Sequence, residues 1–218
     1  MAQGSHRPTM SAPLTVIDHP LVQIRLTRLR DATTGHEEFR RCVHEITRLM
    51  AYEITRNWET STYPIRTPLT DTTGISLLHP PVLAPILRAG LGMLHGMLEV
   101  LPEARVGHIG LFRNEETKLP ESYYLRTPED LTQSKVVLLD PMLATGNSAV
   151  AAAQQLKDLG AAQILFACII SAPEGIACFQ AAHPDIPIFT AAIDQGLTDT
   201  AYITPGLGDA GDRYFGTL

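Results

Sequence analysis

Cysteine is scarce, with only Cys42, Cys168 and Cys178 in 218 residues. Their number is odd, their neighbours are apolar and none stands in a CxxC pair. This argues against a disulfide framework or a zinc site and for buried free thiols in a reducing compartment. No apolar run approaches the roughly 20 residues of a membrane-spanning helix, so a soluble, cytoplasmic protein is expected. Positive charge is also short: 17 Lys and Arg stand against 23 Asp and Glu, a net charge of −6. That balance repels a polyanion over most of the surface and argues against a nucleic-acid partner. Any phosphate bound should be small and locally held. Charged residues make up 18% of the chain and hydrophobic ones 44%, the mix of a globular chain with a substantial core.

The first 13 residues are polar and carry proline, and residues 1–13 are expected to form a disordered leader. Residues 14–218 are of a length for one α/β domain. From His36 to Trp58 the apolar residues Phe39, Val43, Ile46, Met50, Ile54 and Trp58 recur at three- and four-residue steps, which predicts an amphipathic helix. A shorter helix is expected over Leu21–Arg30. Strand-length apolar runs follow at Pro81–Leu87, Val106–Phe112, Lys135–Leu139 and Gln163–Ile170, separated by helical stretches at Leu91–Leu101 and Ser148–Leu159. This alternation predicts a parallel sheet covered by helices on both faces, with ligands beyond the carboxyl ends of the strands. The polar stretch Asn114–Thr132 is expected to be a long loop or loosely held hairpin that acts as a lid.

The segment from Val136 to Ser148 runs from an apolar strand into an acid, Asp140, and then through small residues into a helix. Backbone N–H groups of such a loop, the hydroxyls of Thr145 and Ser148 and the positive end of the helix converge on a space of monophosphate size. An ionised Asp140 has room to accept from two vicinal sugar hydroxyls. Together they form a candidate ribose 5-phosphate site. The bland alternative is that Thr145, Asn147 and Ser148 only cap the helix. A Walker A loop is excluded because no GK[ST] ending follows. Two arginines, Arg88 after Pro85-Ile-Leu and Arg113 after Val106–Phe112, stand at neighbouring strand ends, where paired guanidinium groups match the oxygens of a pyrophosphate.

These segments resemble type I phosphoribosyltransferases, specifically the uracil phosphoribosyltransferase family. The likeness rests on PILRAGLGM at Arg88, RNEET at Arg113, DPMLATG from Asp140, and the closing YIxPGLGDAGDRxFGT, and it runs from about Pro20 to the end. Ala172–Ile176 and Ile193–Leu197 match as well. The resemblance implies a parallel sheet flanked by helices, with a small hood over residues 190–218 and a protruding loop or hairpin. It implies transfer of the phosphoribosyl group of phosphoribosyl pyrophosphate (PRPP) to uracil, giving UMP and diphosphate, with Mg2+ as cofactor. PRPP contacts then fall on Arg88, Arg113, Asp140, Pro141, Met142, Leu143, Ala144, Thr145, Gly146, Asn147, Ser148 and Asp209, of which Arg88, Arg113, Asp140 and Asp209 are the catalytic candidates. Uracil contacts fall on Ile203, Gly208, Asp209 and Ala210, and Asp209 also touches the metal indirectly. A homodimer or homotetramer, and in some members GTP activation, are further implications.

Two departures stand out. Asn147 occupies a position where the family has glycine, which raises the question of how the loop reaches its conformation. Tyr63–His79 and the loop after Thr117 match poorly. Two other readings compete. Gly90-x-Gly92-x-x-x-Gly96 after a strand is suggestive of a dinucleotide turn, but it is one residue too long and leaves Asp140–Ser148 unexplained. The GxGxxG at Gly206–Gly211 is set aside because the chain ends at Leu218, with no helix or second strand expected to follow. The other is a non-catalytic nucleotide sensor of the same fold, which an assay of pyrophosphate release would separate from an enzyme.

Overall fold

The computed structural model describes residues 12–113 and 120–217, except for the side chain of Arg113. Most of the leader and the first part of the expected lid, Asn114 to Leu119, therefore lie outside the described residues. The chain begins with β1 (Leu14–Val16) and two helices, α1 (Pro20–Arg30) and α2 (His36–Ile54). Pro20 stands in the first turn of α1, where its missing N–H costs nothing, and His19 Nδ1 caps the helix by accepting from the Leu21 N–H at 3.2 Å. In α2 the predicted stripe of Phe39, Val43, Ile46, Met50 and Ile54 is buried. The helix ends at Ile54, before the expected Trp58, with Thr55 as its C-cap.

A hairpin follows, β2 (Thr60–Arg66) and β3 (Asp71–Leu77), paired with each other and standing off the main sheet. Then come β4 (Val82–Leu87), α3 (Gly90–Val100), β5 (Arg105–Val106), β6 (His108–Arg113), β7 (Pro120–Arg126), β8 (Lys135–Leu139), β9 (Met142–Leu143), α4 (Asn147–Asp158), β10 (Gln163–Ser171), α5 (Pro173–Ala182) and β11 (Ile188–Ile193). The chain closes with β12 (Gly196–Leu197), β13 (Ile203–Thr204) and α6 (Ala210–Phe215). The last of these corrects the expectation that no helix follows the glycine-rich tail: Asp209 caps a six-residue helix by accepting from the Asp212 N–H.

The main sheet has the order β1-β11-β10-β8-β4-β6-β7, with β5 on β4 and β9 on β10. Every pairing is parallel except that of β7, which returns antiparallel along β6 and makes part of the expected lid a hairpin strand. The predicted strands are apolar throughout because both faces are covered. In β8, Val137 and Leu139 face a core shared with α1, α2 and α3, whereas Val136 and Leu138 face a core shared with α4 and α5. From β4 the chain steps outward to β6, then returns to the other side of β4 as β8 and continues outward through β10 to β11. Strand order thus reverses between β4 and β8, and such a reversal opens a crevice at the carboxyl ends of the two strands. Arg88 follows β4, and Asp140 follows β8. No helix among the described residues is long and apolar enough to cross a membrane.

Candidate functional site

After β8 the chain stays laddered to β10: the Asp140 N–H donates to the Ala167 carbonyl, the Pro141 carbonyl accepts from Ile169 and Ile170, and β9 pairs with the end of β10. The loop Ala144–Gly146 is therefore held on a rigid edge. It is also packed from behind, since a β-carbon on Gly175 of α5 would lie 2.3 Å from the Ala144 carbonyl oxygen. The left-handed turn into α4 falls on Gly146, at φ +87°, and Asn147 is the first helical residue. The question raised by Asn147 is thereby answered: its backbone is ordinary helix, and glycine is needed one position earlier. No side chain caps α4. Thr145 and Ser148 are exposed, and among the described residues neither hydroxyl has a hydrogen-bond partner. The capping alternative for these hydroxyls therefore fails, which leaves the first turn of α4 without a side-chain cap.

Asp140 accepts from the Met142 N–H at 3.2 Å. Burial pushes its carboxyl up to about 7, the Met142 bond opposes this, and the charge of Asp209 raises it further. At neutral pH the group is poised between its two forms. A hydroxyl-bearing sugar that donates to the carboxylate would draw it to the ionised one.

The segment after β11 is anchored by two arginines. Arg30, the last residue of α1, grips the buried Asp194 carboxylate at 2.7 and 2.5 Å and also donates to the Gly206 carbonyl at 2.8 Å. Asp194 in turn accepts from the Gly206 N–H. Arg213 of α6 donates to the carbonyls of Leu29, Leu207 and Asp31 and lies over the Phe39 ring. Between these anchors the backbone makes a cis Thr204–Pro205 peptide and left-handed turns at Gly206 and Gly208. These turns present main-chain groups beside Asp209. At Gly206 a β-carbon would stand 2.0 Å from the Ile203 carbonyl oxygen, so only glycine fits.

Met142, Ala144, Thr145 and Ser148 from the segment after β8 and Ile203 and Asp209 from the tail line one cavity of about 420 Å³, closed by Thr200, Ala201 and Tyr202. The two halves of the site, over fifty residues apart in sequence, thus share one space. Other candidates stand outside this wall. Pro141, Leu143, Gly146 and Ala210 are buried. Asn147 and Gly208 are exposed at its margin. Arg88 is exposed and turned toward Asp212 of α6, while the guanidinium of Arg113 lies outside the described residues. Sequence reading missed Arg30, Asp194 and Arg213. The last two lie inside the matching segments, but nothing local marks Arg30, whose partner is 164 positions away.

The family model for uracil phosphoribosyltransferase matches residues 16–217. Curated relatives named uracil phosphoribosyltransferase include one from Dictyoglomus thermophilum, 55% identical across 93% of this chain and 98% of that protein. Another, from Alkaliphilus oremlandii, is 53% identical across 94% and 98%. Among solved structures, the AQ2163 protein of Aquifex aeolicus superposes with a TM-score of 0.88 at 35% identity, covering 93% of this chain and 97% of that one. The orotate phosphoribosyltransferase of Mycobacterium tuberculosis, at 12% identity and a TM-score of 0.50 over 81% of this chain and 91% of that one, shares the fold alone. With the loop before α4 and a glycine-built tail meeting over one cavity, and with relatives matched over nearly its whole length, the chain belongs to the uracil phosphoribosyltransferase family.

Proposed function

We propose that the protein transfers the 5-phosphoribosyl group of PRPP to N1 of uracil, releasing diphosphate and forming UMP. The observation that carries this reading is the single cavity walled by Thr145 and Ser148 on one side and Ile203 and Asp209 on the other. In support of it, residues of the loop before α4 and residues of the tail line the same space. In this reading the loop after Asp140 holds the 5-phosphate, Asp140 accepts from the ribose hydroxyls, and Arg88 with Arg113 grips the pyrophosphate. Backbone groups around Ile203, Gly208 and Ala210 match the two carbonyl oxygens and the N3–H of uracil.

The bond from the anomeric carbon to pyrophosphate breaks as the bond to N1 forms, and N1 loses its proton. Positive charge builds on the sugar and negative charge on the leaving group, so rate comes from alignment and charge stabilisation, and no side-chain nucleophile is required. The donor chemistry suits magnesium. Among the described residues no cluster of three or more ligating side chains exists, but Asp140 and Asp209 are close enough to interact, and Asp209 keeps one carboxylate oxygen beyond its cap. Magnesium favours one or two carboxylates together with substrate phosphates and water; held there, it would neutralise the leaving pyrophosphate.

The test is pyrophosphate release on mixing the protein with uracil, PRPP and magnesium. Turnover with uracil and none with cytosine is expected, because a carbonyl that accepts from uracil N3–H faces a bare acceptor in cytosine, and such mismatches cost up to ~10⁴-fold. Release independent of uracil, or none at all, would overturn the reading. Titrating GTP into the same assay and sedimentation of the protein test the expected activation and the dimer or tetramer.

A further inference from the structure

Arg88 donates from Nη2 to Asp212 Oδ1 at 3.3 Å. Its guanidinium carbon also lies 5.8 Å from the centre of the Phe215 ring. Both partners belong to α6, the helix capped by Asp209. Asp212 is tied to the site from the other side too, since its N–H donates to Asp209 Oδ1 at 2.9 Å. One turn of helix therefore connects the carboxylate at the cavity wall with the carboxylate that occupies the guanidinium.

The bond to Asp212 is long, and 59% of the Arg88 side chain is exposed, so water screens the pair and it is weak. A pyrophosphate offers the same guanidinium shorter, bidentate, charge-assisted bonds. Asp212 does not depend on Arg88 for its own satisfaction. Oδ1 also accepts from Thr217 Oγ1 at 2.6 Å, and the side chain is one-third exposed to water. The carboxylate can give up the arginine without being stranded.

We propose that Asp212 is a positioning residue that holds Arg88 on α6 while the pyrophosphate site is empty and yields it when PRPP arrives. It competes with the substrate for one guanidinium and takes that group back when the product leaves. The proposal rests on the assignment of Arg88 to the pyrophosphate group.

The experiment is an equilibrium titration of PRPP with magnesium, without uracil so that no turnover occurs, into the wild type, Asp212→Asn, Arg88→Ala and the double variant. Ribose 5-phosphate serves as a ligand that lacks the pyrophosphate. Asp212→Asn is expected to bind PRPP more tightly, by about two- to fivefold as suits a screened pair, with ribose 5-phosphate affinity unchanged. Arg88→Ala should bind PRPP at least about tenfold more weakly, and adding Asp212→Asn to it should change nothing further. A merely structural Asp212 would loosen binding of both ligands. Asp212→Ser, which also keeps a polar partner for Thr217, must behave like Asp212→Asn, so a folding defect in one variant leaves the other to decide. If Arg88→Ala weakens binding but removal of the Asp212 charge does not tighten it, or tightens it equally without Arg88, the proposal is overturned and the site assignment stands. If Arg88→Ala binds PRPP as the wild type does, both fall.

Discussion

A β-carbon on Gly175 would stand 2.3 Å from the Ala144 carbonyl oxygen and 2.6 Å from that of Leu143, both backbone atoms of the segment proposed to hold phosphate. Neither can turn aside as a side chain would, so Gly175→Ala must push α5 and the loop apart. Overpacking of this kind costs about 1–3 kcal/mol. We expect a lower denaturation midpoint together with at least about tenfold weaker PRPP binding, the latter because 1.4 kcal/mol of lost loop geometry already amounts to that factor. Unchanged ribose 5-phosphate affinity in a destabilised Gly175→Ala protein would mean that the loop tolerates the shift. Asp140 makes a prediction in pH. Its carboxyl is raised from 3.8 to about 7 in the fold, so the stability it contributes is complete below about 4 and is lost as pH rises through 7. Ligand binding runs the other way, because ribose hydroxyls favour the ionised acceptor. PRPP affinity should therefore rise with pH below 7, by up to about tenfold per unit. Calorimetry of PRPP binding at pH 6 and pH 8 should find this slope in the wild type and lose it in Asp140→Asn, where the titration of PRPP itself remains as the background.

The elements that position the site differ in how openly the sequence declares them. Helix α2 and strands β4, β8 and β10 were legible because their apolar residues keep a single period or fill a continuous run, and the observed ends differ from the expected ones by a few residues at most. The hairpin of β2 and β3 was not. Thr60–Arg66 is exposed almost throughout and carries Pro64, so it has no buried face to leave an apolar alternation. Helix α6 was hidden by Gly211 and the glycines that flank it, and its cap at Asp209 becomes visible only once Asp212 is seen to donate to it. The strand, loop and helix around Asp140 were readable because an apolar run, an acid, small residues and a helix are contiguous in sequence. The anchoring of the tail was not, because it depends on α1, at the far end of the chain. Substituting Arg30 tests that anchor. Arg30→Met leaves Asp194, whose side chain is 3% exposed, without its cation, and breaking such a pair costs about 2–4 kcal/mol when one partner is partly wet. Urea denaturation should register that loss, and the KM for uracil should rise more than the KM for PRPP, since the phosphate loop lies on β9 and α4. An equal rise in both would place Arg30 in the general scaffold. The same reasoning shows why removing the chain from Pro205 onward is a blunt probe of base binding: Leu207, Ala210 and Tyr214 belong to the core beneath α2 and α3.

At the scale of the molecule, both core layers meet at the sheet and the crevice opens where strand order reverses, so a ligand in the proposed site would bridge α4 to the tail. Anything that binds the folded state alone stabilises it, by about 2.7 kcal/mol at a hundredfold excess over Kd. For a chain of this size that corresponds to a rise in Tm of about 5–10 °C. PRPP with magnesium should produce it in a thermal melt, and Arg88→Ala should reduce it at the same ligand concentration. A melt unmoved by saturating PRPP would contradict the proposed site. The anchoring of the tail also sets an order of assembly during synthesis. Arg30 waits for Asp194, the carbonyl of Leu29 waits for Arg213, 184 positions later, and β1 waits for β11. A nascent chain that has just left the ribosome as far as Ser171 already owns every strand and helix around the phosphate loop except α5. It owns none of the tail that closes over that loop. The tail side of the cavity can therefore be built only once Asp194 and Arg213 have emerged, and until then α1 has neither the carboxylate nor the arginine that will fasten it.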